Sequence, residues 1–304
     1  MQEFNDEITI AIPVFERYDY FEDAIGSAIN QSIPTSIIVV DNNSSHDKFK
    51  NYVEGLSNPN IRYYKNSENV GMVDNWNRCI ELTRTRWLTI LHSDDMLSPL
   101  YIEIAAHYIE TKPDAIAFAS DTYFGIQPRA DFDNPRKKFF LPFGTIKPNH
   151  FLLGNPIPFP GVMFNKENIG SLKFRKEMYP IADYVFWYSL STISPLIFIN
   201  RKLAFYRISS QQETGDVYLD IIQKGYTFKK TIRAKNKYEE KMSDIDTYIS
   251  YLNYSKTHNK TKLYELDKKY SFGVLLKKFE NTILPTPFLS FFIRVAKRVY
   301  ISLT

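Results

Sequence analysis

The sequence lacks the residues and motifs that mark several large protein classes. Its single cysteine, Cys79, allows neither an intrachain disulfide nor a cysteine-based zinc site, and this indicates a reducing compartment. It contains no Gly-x-Gly-x-x-Gly and no phosphate-loop lysine motif, which disfavours a dinucleotide oxidoreductase or an ATPase. No stretch reaches the roughly 18 apolar residues of a spanning helix, and no basic, apolar leader opens the chain. We therefore expect a cytoplasmic protein, at most peripheral on the inner face of the cell membrane.

The composition is that of a globular protein, long enough for one large domain or two small ones. Of its 304 residues, 44% are hydrophobic and 24% are charged. The 23 Phe and 21 Tyr suit packing against sugar rings or a membrane surface, and a plain aromatic core explains them equally well. Lysines within residues 224–241 and 256–278 contribute to a net charge of +4, which suits nucleic acid or an anionic membrane. Because zinc-finger spacing and RNA-binding aromatic signatures are missing, no nucleic-acid partner is predicted.

Strand-like and helix-like segments alternate over residues 8–120. Short apolar runs predict strands at residues 8–14, 37–40, 61–64, 87–91 and 115–120. Apolar residues at helical spacing predict helices at residues 18–30, 47–56, 73–82 and 100–111, the last of them capped by Ser98. Such alternation with short connections is typical of an α/β fold with a mainly parallel, doubly wound sheet flanked by helices.

The pattern changes after residue 120. Residues 122–160, rich in proline, predict a long loop region. A strand at 161–164, a helix at 181–190 and one or two strands at 196–206 are expected to follow. After residue 211 the chain becomes rich in Lys and Tyr and predicts an appended helical region. The expected domains are residues 1–210 and residues 211–304.

The centre of the chain is the stretch RWLTILHSDDMLSP at residues 86–99, in which a predicted strand ends at His92-Ser93-Asp94-Asp95. Asp41 ends an earlier strand, and the carboxyl ends of parallel strands meet at one edge of a sheet, where ligands bind. Adjacent carboxylates repel each other unless a cation or hydrogen-bond donors compensate. A divalent cation carrying a diphosphate fits that need. A turn and capping role for Asp94 and Asp95 is the alternative.

Four stretches carry a family resemblance: IPVFERYDYFEDAIGSAINQS, IIVVDNNSS, NVGMVDNWNRCIELTRTRWLTILHSDDML and PIADYVFWYSL. In this order and spacing they resemble the signatures of the family 2 inverting glycosyltransferases, over about residues 7–207. The resemblance implies a GT-A fold, Rossmann-like, here with a C-terminal helical extension. It also implies a nucleotide-diphosphate sugar donor, UDP- or dTDP-linked, and a glycan or lipid-linked acceptor, in bacterial surface polysaccharide synthesis.

By this resemblance, together with the amides expected at the sheet edge, the nucleotide sugar is bound by residues from several turns: Pro13, Phe15, Glu16, Asp41, Asn75, His92, Ser93, Asp95 and Arg207. Asp94 matches the family's metal ligand, so the implied cofactor is Mn²⁺ or Mg²⁺. The family's first acid of this motif is His92 here, which we expect to contact ribose rather than metal. The family's Glu-Asp pair is Ala182-Asp183, which keeps only the second acid.

Asp183 is the predicted general base that activates the acceptor hydroxyl, with Glu177 as the nearest acidic alternative. The alternative role of Asp183 is to place a negative charge at a helix N-terminus. Aromatic residues follow it at 186–188, where one could stack on the acceptor sugar while at least two are expected to pack in the core. Arg207 is predicted to reach the diphosphate.

Two other functions remain open from the sequence. A nucleotidyltransferase would need a glycine-rich basic loop after the first strand, and PVFERYDY contains no glycine. A sugar-binding subunit without catalysis could keep the fold after loss of the first acid. Finally, residues 284–303 contain bulky apolar side chains and three basic ones, which predicts either a helix in the interface of an anionic membrane or one docked on the catalytic domain.

Overall fold

The computed structural model describes residues 4–128, 144–209 and 217–234, together with the single positions 239, 240, 243, 244, 246, 247 and 250. The chain divides into two compact units. The first comprises residues 1–146 and 157–209, and the second comprises residues 147–156 and 210–304. The predicted boundary at residue 210 stays a prediction, and the predicted helix at 284–303 lies outside the described residues.

The first unit is built on one mixed sheet. Its strands are β1 (Asn5–Val14), β2 (Thr35–Asp41), β3 (Ile61–Lys65), β4 (Trp87–Ile90), β5 (Met96–Leu97), β6 (Ala117–Gly125), β7 (Thr145–Ile146), β8 (Val162–Asn165) and β9 (Leu196–Arg207). Among the described residues the strand order is β3-β2-β1-β4-β8-β6-β9-β5, and β7 pairs with β9.

Helices join and flank these strands. They are α1 (Phe21–Ile29), α2 (Lys48–Gly55), α3 (Met72–Leu82), α4 (Tyr101–Thr111) and α5 (Ala182–Ile193) in the first unit, and α6 (Tyr218–Lys229) in the second. Short 3₁₀ helices occupy Pro148–Leu153 and Lys176–Met178. Among the described helices, none is both long and apolar enough to cross a membrane.

The parallel pairing of β3, β2, β1 and β4 confirms the predicted fold class. Strands β2 and β4 and the second half of β1 are apolar runs buried on both faces, as the inner strands of a parallel sheet require. Strand β3 lies at the edge of the sheet and is only partly buried. The register places Val14 opposite Asp41, so β1 and β2 end together. Strand β4 lies on the other side of β1, with Ile90 opposite Ala11. The chain segments that follow all three strands therefore emerge at one edge of the sheet.

The other half of the sheet contains antiparallel pairs that the sequence pattern did not predict. Strand β8 runs antiparallel to both β4 and β6, while β6 and β9 are parallel. Antiparallel neighbours need no helical crossover, so a strand that returns from a loop region can insert in this orientation. Strand β6 also continues to Gly125, beyond the predicted end at residue 120.

Helix α4 begins later than its predicted cap. Ser98 is followed by a turn in which its Oγ accepts a hydrogen bond from Leu100 N at 3.3 Å, and the helix starts at Tyr101. The two residues before Ser98 form β5, which pairs antiparallel with β9. The pairing holds residues 96 and 97 in the sheet, and the helix forms after the turn that follows Ser98.

The core of the first unit explains why α1 folds. Its apolar residues recur at helical spacing, and Phe21, Ala24, Ile25 and Ala28 are buried against the sheet. The ring of Phe21 packs edge-on against Phe49 of α2 at 4.9 Å between centroids. Burying each such aromatic side chain contributes about 1.5–3 kcal/mol. Packing of this kind fixes α1 below the edge at which β1, β2 and β4 end.

Candidate active site

The loop after β4 carries a cluster of three possible metal ligands. One ligand atom from each of His92, Asp94 and Asp95 lies within 4.8 Å of the others. The Nδ1 of His92 is 3.9 Å from Oδ2 of Asp95. Ser93 lies between them in sequence and is partly buried. The cluster therefore offers one nitrogen and two carboxylate groups at the carboxyl edge of the sheet.

Burial shifts the pKa of the residues at both ends of this cluster. Asp95 is 2% exposed, and burial followed by the nearby Asp94 carboxylate raises its pKa well above the usual range. Burial also lowers the pKa of His92 to about 4, so its imidazole is neutral at pH 7. Asp95 Oδ2 is buried and has no hydrogen-bond partner among the described residues. A divalent cation would satisfy that oxygen and offset the repulsion, so the residues fit such an ion.

Arg207, at the end of β9, binds the loop after β4 through both its backbone and its side chain. Its backbone N–H donates to Asp95 Oδ1 at 3.0 Å and its Nε donates to the Asp94 carbonyl oxygen at 2.9 Å. Its Nη2 pairs with Asp23 Oδ2 of α1 at 2.7 Å, and its guanidinium lies 4.2 Å from the Tyr20 ring centroid. The side chain is 1% exposed. The structure thus gives Arg207 protein partners, and its contact with a diphosphate stays a prediction.

Asp41, at the end of β2, is fully buried and its carboxylate is held on both oxygens. Oδ1 accepts hydrogen bonds from Ser44 N at 2.8 Å and Ser44 Oγ at 2.7 Å. Oδ2 accepts one from the Tyr63 hydroxyl at 2.6 Å, and burial together with this bond raises the pKa of Tyr63. Asp41 therefore shapes the turn 41–45 and presents a fixed carboxylate at the sheet edge.

The loop after β1 is tied to the same turn. Glu16 has a left-handed backbone with φ of 53°, uncommon outside glycine, and its carboxylate accepts bonds from Ser45 N at 2.8 Å and Ser45 Oγ at 2.9 Å. These bonds lower the pKa of Glu16. Phe15 is 42% exposed beside it, and Pro13 in β1 is partly buried. Strained loops of this kind cluster at ligand-binding sites.

Asn75 lies on α3 and is 3% exposed. Its Nδ2 donates to the Val40 carbonyl oxygen at 3.1 Å, and its Oδ1 accepts from Asn66 Nδ2 at 2.9 Å. Asn42 accepts a hydrogen bond from Val70 N at 2.9 Å, which holds the neighbouring loop. Asn75 therefore joins α3 to the end of β2, and its predicted contact with the nucleotide stays a prediction.

Asp183 stands in the first turn of α5 and is partly buried. Phe186 and Trp187, one turn later, are each 1% exposed, as expected for core residues, and Tyr188 is partly buried. Phe186 stacks on Phe174 with 4.0 Å between centroids. This packing holds the helix that presents Asp183, whose role as base stays a prediction.

The sequence pattern did not predict one cluster of aromatic residues. Phe159 stacks on His92 at 4.0 Å between centroids and contacts Trp187 of α5 at 5.7 Å. Trp76 of α3 also stacks on His92, at 5.4 Å. A continuous aromatic cluster therefore joins the loop that carries His92 to the helix of Asp183. Aromatic residues so far apart in sequence carry no local signal that they meet.

Known proteins share this architecture. The family model described as Glycosyl transferase family 2 matches residues 9–166. An uncharacterized glycosyltransferase of Haemophilus influenzae is 25% identical over 226 residues, covering 69% of this chain and 68% of its own.

Two solved structures share the fold. TarS 1–349 of S. aureus in complex with UDP-GlcNAc has a TM-score of 0.63 at 13% identity, with 97% of this chain and 89% of that chain covered. The mannosyltransferase PcManGT of Pyrobaculum calidifontis, in complex with GDP-Man and Mn²⁺, has a TM-score of 0.58 at 12% identity, covering 97% and 87%. The family match spans more than half of the chain. The chain is a glycosyltransferase of the GT-A fold and belongs to glycosyl transferase family 2.

Proposed function

We propose that this protein transfers a sugar from a nucleotide-diphosphate donor to a hydroxyl group of a glycan or lipid-linked acceptor, with inversion at the anomeric carbon. The observation that carries the proposal is the cluster of His92, Asp94 and Asp95, with its unsatisfied buried carboxylate oxygen, at the ligand-binding edge of the sheet. Departure of a nucleoside diphosphate develops negative charge that needs an electrophile. Asp94 and Asp95 would hold a divalent cation there, and the bound cation would supply that electrophile.

The other residues of the edge would bind and orient the donor. Asp41, held by Ser44 and Tyr63, and Phe15, exposed beside it, suit the planar base and its polar edge. Because these groups are already fixed in the described structure, little ordering is needed when the donor binds. UDP and GDP occur in the similar structures, and we propose UDP- or dTDP-sugars as the first donors to test.

Asp183 would accept the proton of the acceptor hydroxyl. Its side chain stands in the first turn of α5 and is partly buried, as suits a carboxylate positioned to take a proton from a bound hydroxyl group. Glu177 is the competing acid, but it is paired with Arg175 at 2.7 Å and its side chain is 61% exposed. The bond from Arg175 lowers its pKa, which makes it a weaker base. Asp183 therefore stays the better candidate.

A donor panel tests the proposal. Full-length protein is incubated with UDP-, dTDP- and GDP-sugars, with and without Mn²⁺, and release of nucleoside diphosphate is measured. We expect the enzyme to release nucleoside diphosphate from one donor when Mn²⁺ is present and not when it is absent. We also expect proton NMR of the product to show an inverted anomeric centre. Tight binding of a nucleotide sugar with no turnover across a panel of lipid-linked and free glycan acceptors would instead favour the non-catalytic sugar-binding subunit, consistent with the loss of an acid at His92.

We further propose that residues 284–303 bring the enzyme to an anionic membrane surface. Basic residues near such a surface each contribute about 1 kcal/mol of attraction. Co-sedimentation with anionic liposomes compares the full-length protein with a version that ends at Ile283. Stronger sedimentation of the full-length chain at low salt supports the proposal, and equal sedimentation of the two contradicts it.

A further inference from the structure

The ring of His92 is fixed in orientation by its neighbours. It stacks on Phe159 with 28° between the ring planes and on Trp76 with 19°. Its side chain is 24% exposed. Stacked aromatic pairs restrict the rotation of a ring about its side-chain bonds, so the two ring nitrogens point in set directions. The nitrogen that faces the carboxylates is Nδ1.

The distance between Nδ1 and Asp95 Oδ2 is informative. At 3.9 Å it is too long for a hydrogen bond. Two ligand atoms that each lie about 2.1 Å from a shared ion can be at most about 4.2 Å apart. The observed distance therefore lies where a cation bridge fits and a direct bond does not. Asp95 is 2% exposed, and its Oδ2 has no hydrogen-bond partner among the described residues. A cation bound between Oδ2 and Nδ1 would satisfy this oxygen.

The third ligand completes the set. Asp94 offers a carboxylate oxygen within 4.8 Å of a ligand atom of each of the other two residues, so a side-chain shift of under about 1 Å would bring it within reach of a shared ion. The imidazole is the ligand that separates the two ions. Mg²⁺ prefers oxygen ligands and retains its waters, whereas a first-row transition ion such as Mn²⁺ accepts an imidazole nitrogen beside carboxylates. The ligand set therefore favours Mn²⁺ over Mg²⁺.

We propose that His92 is a direct ligand of the divalent cation and makes this site select Mn²⁺ over Mg²⁺. The inference rests on the proposed function only in assuming that the cluster binds a divalent cation. It replaces the expectation that His92 contacts ribose alone. A purely structural role, in which His92 serves only as part of the aromatic cluster, makes different predictions for variants that keep or lose the ring.

Two variants separate these roles. His92→Phe keeps an aromatic ring between Trp76 and Phe159 and removes the nitrogen. His92→Asp removes the ring and restores an acid ligand. Thermal unfolding of both variants checks that the fold is kept. If His92→Phe fails to fold, His92→Asp still reports on the nitrogen.

The measurement is Mn²⁺ binding to full-length protein by electron paramagnetic resonance, with and without UDP, followed by competition with Mg²⁺. For the wild type we expect Mn²⁺ to bind at least about tenfold more tightly than Mg²⁺, with a pulsed signal from a coordinated ¹⁴N. His92→Phe should lose the nitrogen signal and bind Mn²⁺ about tenfold or more weakly. His92→Asp should lose the signal and narrow the preference for Mn²⁺ over Mg²⁺.

Two negative results would have different consequences for the metal site and for the role of His92. Wild-type protein that binds no divalent cation, even with UDP, overturns the metal site itself and this inference with it. Wild-type protein that binds Mn²⁺ without a ¹⁴N signal, or with an affinity that His92→Phe leaves unchanged, overturns this inference and leaves the proposed function standing.

Discussion

Arg207 and Asp95 are 112 positions apart in the chain and are joined by a hydrogen bond of 3.0 Å from the Arg207 backbone N–H to Oδ1 of Asp95. The guanidinium of the same arginine binds the Asp94 carbonyl oxygen and the carboxylate of Asp23. Strand β9 and helix α1 therefore hold the loop that carries the proposed metal ligands. Arg207 is a positioning residue for that loop.

Replacing Arg207 tests this clamp. Arg207→Met keeps the backbone hydrogen bond to Asp95 but removes the contacts of the guanidinium. We expect Mn²⁺ affinity in the presence of UDP to fall about tenfold, because partners that orient metal ligands have effects of this size. Titration calorimetry measures it. The control Arg78→Met removes the surface pair with Glu81, whose side chains are about half exposed, and should leave affinity unchanged. Equal effects in the two variants would contradict the assignment.

Removal of the Asp94 carboxylate should abolish transfer while the fold is kept. Asp94→Asn replaces the proposed metal ligand with a neutral group in a partly exposed loop, so we expect a melting temperature close to wild type. Donor turnover at limiting Mn²⁺ should fall below detection. Asp114→Asn, at an exposed position, is the matched control. Wild-type turnover of Asp94→Asn at limiting metal would show that the metal ligand lies elsewhere.

Asp41 is expected to act on both stability and donor binding. Asp41→Ala leaves Ser44 and Tyr63 without their shared acceptor, and the loss of a buried hydrogen-bond partner costs about 1–3 kcal/mol. The donor KM should rise, since the fixed carboxylate at the sheet edge is lost. Tyr63→Phe removes one of the same bonds and keeps the carboxylate. It should lower stability less and leave the donor KM unchanged, and a similar rise in KM would argue for a purely structural effect.

Asp183→Asn is expected to lower kcat by about 10²–10⁴ while the nucleotide affinity stays near wild type, the effect of removing a general base. Stopped assays of nucleoside diphosphate release give kcat, and titration with UDP gives the affinity. Glu177→Gln removes the other nearby acid, which is paired with Arg175, and should change kcat less than twofold. A larger loss of kcat in Glu177→Gln than in Asp183→Asn would assign the role of general base to Glu177.

A buried ion pair lies in the second unit. Lys229 Nζ lies 2.7 Å from Asp246 Oδ2 and 2.9 Å from Thr247 Oγ1, with the lysine side chain 5% exposed. Lys229→Ala leaves the Asp246 carboxylate buried without that cation, which costs about 3–5 kcal/mol. Its neighbour Lys230 makes a pair of equal length with Asp244, but its side chain is 40% exposed. Lys230→Ala should therefore cost about 1 kcal/mol or less. Urea unfolding measures both.

The local pattern of the chain determined most of the elements and the position of the candidate site. Apolar runs marked β1, β2, β3 and β4, and helical spacing marked α1 and α3, because burial of one strand or one helix face is a local property of the sequence. The polar residues that end β2 and β4 were expected to meet, since the ends of parallel strands share an edge. The motifs of the family located Asp94 and Asp183.

Only the tertiary structure shows which partners the side chains of the candidate site contact. The Arg207 side chain turns into the protein and binds the Asp94 carbonyl oxygen and the Asp23 carboxylate. Asn75 binds the backbone of β2, and His92 stacks on Phe159. Strand β8 inserts antiparallel between β4 and β6. Phe159, just before β8, thereby lies near the loop after β4 that carries His92. Each of these contacts joins residues far apart in sequence. Their formation depends on the packing of whole elements against each other, which no local pattern of residue types records.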